Sequence, residues 1–265
     1  MDIKIVKDPD EIKGILPVIR SAWGFESMES LVKDMVTAMK FHGGLVLGAY
    51  DNGNMVGMSF SFPGLRKGKP YLYSHMTGVI KDRKYSGIGY ELKQAQLKWA
   101  RDNGYDFIAW TFDPLMSLNA NFNIGKLGAF SRTYLRNFYG EMEDQLNRGM
   151  RTDRLVAELW LDFKIEASSE KPVFLNTPEL EFHYDMNHDA VPSESLAMYI
   201  PEDFVALKIN DIKFALSVRQ NSCSILEYLF ASGYSITNYS RLPSPHYIIR
   251  KITNLRKNME NNPFS

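Results

Sequence analysis

Val79-Ile80-Lys81-Asp82-Arg83-Lys84-Tyr85-Ser86-Gly87-Ile88-Gly89-Tyr90 joins an apolar strand to a long amphipathic helix through a short basic loop that ends in a glycine pair. Glycines without Cβ let successive backbone N–H groups turn toward one point. The first turn of the following helix adds unpaired donors and a partial positive charge. The segment therefore reads as an anion site, with phosphate as its natural guest.

Outward from that loop, Ile88, Leu92, Ala95 and Trp99 recur at spacings of four, three and four and predict the buried stripe of the helix. Glu91, Lys93, Gln94, Lys98 and Arg101 are assigned to the rest of its surface, and Asn103-Gly104 to a left-handed cap. Upstream, Tyr71 to Ile80 is rich in aromatic and β-branched residues and reads as a strand. Two familiar phosphate motifs fit poorly. A dinucleotide fingerprint needs a third glycine where Leu92 stands, and no Gly-Lys-Ser/Thr triplet occurs for a P-loop.

The pattern resembles instead the acyl-coenzyme A loop of the GNAT acyltransferases: Arg or Gln, two residues, Gly, one residue, then Gly or Ala. Lys84, Gly87 and Gly89 occupy those places. Lys84 keeps the charge of the usual Arg but not its fork, and Tyr85 stands where Gly is frequent. A second family motif laid on Ser117 to Ala129 matches at Ala120, Lys126 and Gly128, while Ile124 replaces the tyrosine that in many relatives protonates the departing thiolate. The wider run through Trp110 to Leu115, Asn119-Ala120, Phe122-Asn123, Asn137 to Gly140 and Thr152 to Arg154 is similar to a particular branch of predicted GNAT acetyltransferases, over roughly residues 40–165.

The order of elements supports the same resemblance. A strand at Ile3 to Val6 precedes helices carrying Ile12, Ile15, Leu16 and Ile19, then Leu31, Met35, Val36 and Met39. A hairpin follows across Asp51 to Asn54, then the strand ending at Val79, the loop and its helix, and a strand Phe107 to Phe112 halted by Asp113-Pro114. A helix from Ser117 to Leu127 and strands Phe130 to Phe138 and Arg154 to Phe163 complete the β-α-α-β-β-β-α-β-α-β-β order. The fold class expected is thus α/β (α+β), a mixed central sheet flanked by helices, with residues 1–163 as the acyltransferase domain. Lys164 to Pro172 reads as a linker to an accessory α/β segment, residues 164–265, in which Ser195 to Ile200, a helix from Ile212 closed by Gly233, and a hairpin across Pro243-Ser244-Pro245 are predicted.

Composition excludes other classes. Thirty-one basic and thirty-one acidic residues balance to zero, which argues against a general nucleic-acid grip or electrostatic membrane attachment. No apolar run approaches the roughly 20 residues needed to span a bilayer. The charged start Met1-Asp2-Ile3-Lys4 and the single Cys223 fit a reducing cytoplasm. Hydrophobic residues at 45% suffice for a core.

What the resemblance implies about the site is specific. The pyrophosphate of an acyl-coenzyme A rests on the amides of Ser86, Gly87, Ile88, Gly89 and Tyr90, with Lys84 beside it, and the pantetheine arm runs along the strand past Gly78 and Val79. The Val79 N–H is expected to donate to the acyl oxyanion. A protonated amine acceptor must lose a proton before attack, and His75 is the expected base, placed four residues before Val79 and hence on the same strand face by period two; satisfying a hydrogen bond within the sheet is its bland alternative. Asn119 is expected to reach the cofactor, with capping as its alternative. Tyr134 and Tyr139 are possible substitutes for the absent tyrosine, and Asp153-Arg154 a structural ion pair. His183, Asp185, His188 and Asp189 match no zinc spacing, so no metal is expected. The expected reaction is acyl transfer from acetyl-coenzyme A, or another acyl-coenzyme A, to a small amine or amino acid, with room for a homodimer and without nucleic acid or membrane partners. The alternative is a non-catalytic coenzyme-binding module acting as a metabolite sensor or assembly partner.

Overall fold

A computed structural model describes residues 2–7, 9–23, 29–80, 87–140, 149–166, 169–184, 191 and 193–265. The protein is mixed α/β, with mostly antiparallel sheet flanked by helices. Compact packing divides it into two units, Met1–Trp110 and Thr111–Ser265.

In the first unit, strands β1 (Asp2–Ile5), β2 (Leu45–Asp51), β3 (Asn54–Arg66), β4 (Lys69–Val79) and the start of β5 (Phe107–Phe112) lie side by side in chain order. The first four are antiparallel neighbours, and β5 joins β4 in parallel. Helices α1 (Pro9–Lys13), α2 (Ile15–Trp23) and α3 (Glu29–Phe41) belong to one face, where Ile12, Ile15, Val18, Ile19 and Val36 pack with Val46, Met58 and Phe60. The other face takes α4 (Ile88–Asp102), whose Ile88 and Leu92 pack with Leu45, Leu47, Ala49 and Val56. Neighbours Leu45 and Val46 thus serve opposite cores, as the two-residue period of a strand requires. The hairpin between β3 and β4 runs further than its apolar pattern suggests, because Lys67 and Gly68 close it with φ of 47° and 74°.

Two bulges reset that period. Ala49 faces Gly57 but Tyr50 faces Met55, leaving Val56 as an extra residue in β3; Phe60 faces Met76 but Ser61 faces Ser74, leaving His75 extra in β4. Helix α4 ends as expected: Gly104 has φ of 76°, and the Tyr105 N–H donates to Ala100 O at 3.0 Å.

In the second unit the strands run β7 (Arg154–Trp160), β6 (Phe130–Leu135), β10 (Tyr234–Ser240), β11 (His246–Lys251), β9 (Ser195–Tyr199) and β8 (Val173–Phe174) across the sheet. Because Ile236 of β10 pairs with Ser131 of β6, the composition shift at 163/164 falls inside one sheet, and compact packing changes hands at Trp110 instead. The helix expected from Ser117 to Leu127 keeps one α-helical turn, α5 (Ser117–Ala120), then widens into a π-helical segment, Asn121–Lys126. The Leu127 N–H accordingly donates to Phe122 O, five residues back. A short helix α6 (Phe204–Asn210), the long α7 (Ile212–Ala231) and α8 (Lys257–Glu260) complete the unit.

Candidate active site

Gly87 opens α4 with φ of 116°, a conformation that costs a side-chain-bearing residue. It has no side chain with which to cap the helix, and the first intrahelical bond runs from the Glu91 N–H to Gly87 O at 2.9 Å. The N–H groups of Ile88, Gly89 and Tyr90 lie ahead of that bond and have no helical acceptor. Space beside Gly87 is open, since a Cβ built there meets nothing within 4 Å. Ile88 anchors the turn in the core while Tyr90 is exposed. Three amides, a helix dipole and free volume together suit an anion. Lys84 and Ser86 fall outside the described residues.

The strand leading to this turn offers a second set of unused groups. Since the Ile80 N–H donates to Val56 O, residue pairs alternate along β4, and Val79 and Thr77 occupy positions whose N–H and C=O point away from β3, toward β5. Pairing with β5 covers Leu72 with Ile108 and Tyr73 with Ala109, and no further pair exists in that ladder among the described residues. Beyond Tyr73 the ladder to β5 ends, a gap in the pairing that gives the Thr77 and Val79 amides no ladder partner there among the described residues. Gly78, opposite Met58, turns its own N–H toward β3.

His75 and Val79 do not share a face. The bulge at His75 breaks the period on which that expectation rested: Val79 packs with the α4-side core, whereas His75 lies 6.0 to 6.2 Å from the rings of Phe62, Tyr73 and Phe60, on the side of α1–α3. Desolvation among these rings pulls the imidazole pKa below the usual value, although His75 as a whole is exposed at the surface. A neutral imidazole at pH 7 suits a proton acceptor.

On the opposite face sits a group that helix periodicity misplaced. Lys93, assigned to the solvent side, is buried at 3% exposure together with Gln96. Its Nζ donates to Ser74 Oγ at 2.6 Å and to Gln96 Oε1 at 3.0 Å, and lies 4.1 Å from the centre of the Trp110 ring. Gln96 Nε2 is in turn within 3.1 to 3.2 Å of the hydroxyls of Ser59, Ser61 and Ser74, and Ser59 Oγ is 3.0 Å from Thr77 Oγ1. Burial lowers the Lys93 pKa to about 7. A signal for this cluster exists in the sequence: Ser59, Ser61, Ser74 and Thr77 put hydroxyls at strand positions where a buried face calls for apolar residues.

The remaining candidates belong to the second unit. Asn119 is exposed on α5, and Asn123 is buried in the π-helical segment. Asp113 is held by Arg219 through two hydrogen bonds of 2.8 and 2.7 Å and accepts from the Leu115 N–H, a structural clasp. Asp153 and Arg154 do not pair through their side chains. The Asp153 carboxylate instead accepts from the Tyr134 hydroxyl, the Asn137 N–H and Arg151, while Arg154 donates to the Asp153 carbonyl and lies 3.7 Å from Asp113. Burial and Asp153 raise the Tyr134 pKa far above the tyrosine range, so its hydroxyl keeps its proton. Tyr139 bonds Thr111 and lies beneath Arg154. Cys223 is buried on α7. His183 is exposed; Asp185, His188 and Asp189 fall outside the described residues, among which no metal-binding group of His, Cys, Asp or Glu occurs. Among the described residues no helix is long and apolar enough to cross a membrane.

No family model matches the chain, and no curated protein does so. Solved structures to which it is similar include an aminoglycoside 6'-acetyltransferase type Ii, at 19% identity and a TM-score of 0.49 over 62% of this chain and 99% of that one. The ribosomal-protein-S18-alanine N-acetyltransferase from Escherichia coli gives 14% identity and 0.49 over 64% and 98%. A GNAT family acetyltransferase from Elizabethkingia anophelis with acetyl-CoA bound gives 16% and 0.45 over 60% and 97%.

Proposed function

We propose that the protein is an acyl-coenzyme A-dependent N-acyltransferase of the GNAT type, transferring an acyl group to a small amine or amino acid. The observation that carries this reading is the union, within one unit, of an uncapped helix start at Gly87 with the gap where β4 leaves β5. The first takes a diphosphate; the second takes an extended amide-bearing arm, whose groups replace the missing strand partner of Thr77 and Val79. A coenzyme A thioester has both parts in that order. Residues 1–163 carry the chemistry in this reading, with 164–265 accessory to it.

The Thr77 amide, nearer than Val79 to the end of the β5 ladder, would then donate to the acyl carbonyl oxygen as it gains charge, while the Val79 amide, about 6.6 Å further along the strand, holds the arm; removal of such an oxyanion donor in other enzymes costs about 10²–10³ in rate. His75 takes the proton of the incoming ammonium, directly or through water. The freed lone pair forms the C–N bond as the C–S bond breaks and the electron pair leaves on sulfur; the second proton, shed by nitrogen as the amide forms, passes through water to the thiolate. Full-length protein should release free thiol from an acyl-coenzyme A in the presence of a panel of amines. Coenzyme binding with no acceptor-dependent thiol release would favour a sensor, and no calorimetric heat with any coenzyme A species would remove the site.

A further inference from the structure

Buried cations are rare without an anion beside them, because desolvation costs several kcal/mol that neutral partners only partly return. Lys93 has no such anion: the contacts of its amine are a hydroxyl, an amide oxygen and an indole ring, and no carboxylate pairs with it among the described residues, so its charge awaits a partner. Its position is as telling as its isolation. Ser74 is the first residue of β4 beyond the last pair with β5, and Trp110 follows Ala109, the last paired residue of β5. By touching both, the Lys93 ammonium lies across the point at which the ladder between the two strands ends, at the closed end of the gap that in the proposed function holds the thioester.

We infer that Lys93 selects the acyl donor by supplying the counter-charge for a carboxylate at the far end of the acyl chain, so that the transferred group is the half-acyl unit of a short dicarboxylic acid. This rests on the acyl-coenzyme A reading and adds the class of donor to it. Three strand residues at about 3.3 Å each, foreshortened by the bulge at His75, separate the Thr77 amide from Ser74. A four-carbon chain reaches about 5 Å from the thioester carbon, at roughly 1.5 Å per bond. One charge-assisted hydrogen bond of about 2.8 Å completes the span to Nζ. An acetyl group stops well short. The hydroxyls of Ser59, Ser61 and Ser74, gathered around Gln96, offer donors to the second carboxylate oxygen with small rearrangement. The depressed basicity of Lys93 adds a signature, since a carboxylate arriving beside a largely neutral amine draws a proton onto it.

Titration calorimetry on the full chain at pH 8 with coenzyme A, acetyl-coenzyme A and succinyl-coenzyme A tests the inference without an acceptor. Succinyl-coenzyme A should bind at least 10-fold more tightly than acetyl-coenzyme A, with uptake of close to one proton, read from the dependence of the heat on buffer ionisation enthalpy. In Lys93→Met the ratio of the two affinities should fall to within about 3-fold and the proton uptake should vanish. Equal affinities in the unmodified protein, or a preference for the acetyl donor, would overturn the inference whatever the variant does, so a misfolded variant leaves the test intact. Coenzyme A itself separates the two levels: if it binds while succinyl shows no advantage, only the role of Lys93 fails, and if no coenzyme A species binds, the acyltransferase reading fails with it.

Discussion

Lys93 and His75 sit on opposite faces of one sheet and are tuned by the same physical effect, removal of water. For Lys93 the consequence is a pH dependence of stability. Unfolding restores its ordinary pKa of 10.5, so between about 7 and 10.5 the unfolded chain holds a proton that the folded chain lacks. Stability attributable to Lys93 must therefore rise with pH across that window, and reach its lowest, constant level below it. The full shift corresponds to at most about 5 kcal/mol at 1.36 kcal/mol per unit. Unfolding free energies of the unmodified protein from urea titration, measured against Lys93→Met, should gain about 2–4 kcal/mol between pH 7 and 10; a difference that stays flat would show the amine to be solvated. For His75, whose lowered pKa keeps it neutral at pH 7, the acid limb of kcat/KM should fall below pH 6.5. His75→Ala should abolish that limb and cost about 10²-fold in rate. An unaltered limb in the variant would assign the proton transfer to water alone.

Elements are where the site takes shape. The uncapped first turn of α4 and the bulge in β4 are both departures from regular structure, and each exposes backbone groups that a regular element would consume. Gly87→Val is informative because the space beside it is empty: the cost to folding is backbone strain of about 1–2 kcal/mol, not a clash. Coenzyme affinity should nevertheless disappear in that variant, as the new side chain covers the amides of Ile88 to Tyr90. Retained affinity in calorimetry would move the phosphate elsewhere. The widened turn at Asn121–Lys126 is the least readable of the elements, because a run rich in asparagine and glycine sets no strong preference between i−4 and i−5 acceptors.

For the whole molecule, the division at Trp110 places the anion turn, the Thr77 and Val79 amides, His75 and Lys93 together in residues 1–110. The second unit spends its buried charges on itself: Arg219 with Asp113, Arg132 with Glu158, and Tyr134 with Asp153. Arg219→Met should leave the Asp113 carboxylate with the Leu115 N–H and Arg154 at 3.7 Å as partial relief, and destabilise the protein by about 3 kcal/mol. Hydrogen exchange is expected to show the loss in amides of residues 111–265 ahead of those in 2–80. Simultaneous loss in both would mean that the two units unfold as one.

Periodicity and turn chemistry alone determined the strands from Leu45 to Val79, the helix after Gly87 and the hairpin near the C-terminus, because each rests on neighbours within a few residues: alternating apolar side chains, glycines at positive φ, asparagine before glycine. The same local logic singled out the amides of Gly87 to Tyr90. It failed where a residue's role is set by partners distant in sequence. Only the tertiary structure turned Lys93 inward, 19 residues from Ser74, and set His75 apart from Val79 through a bulge that exists only against β3. Burial and register are properties of contact between elements, and a one-residue slip or a rotation by one helical position changes both without changing any local preference.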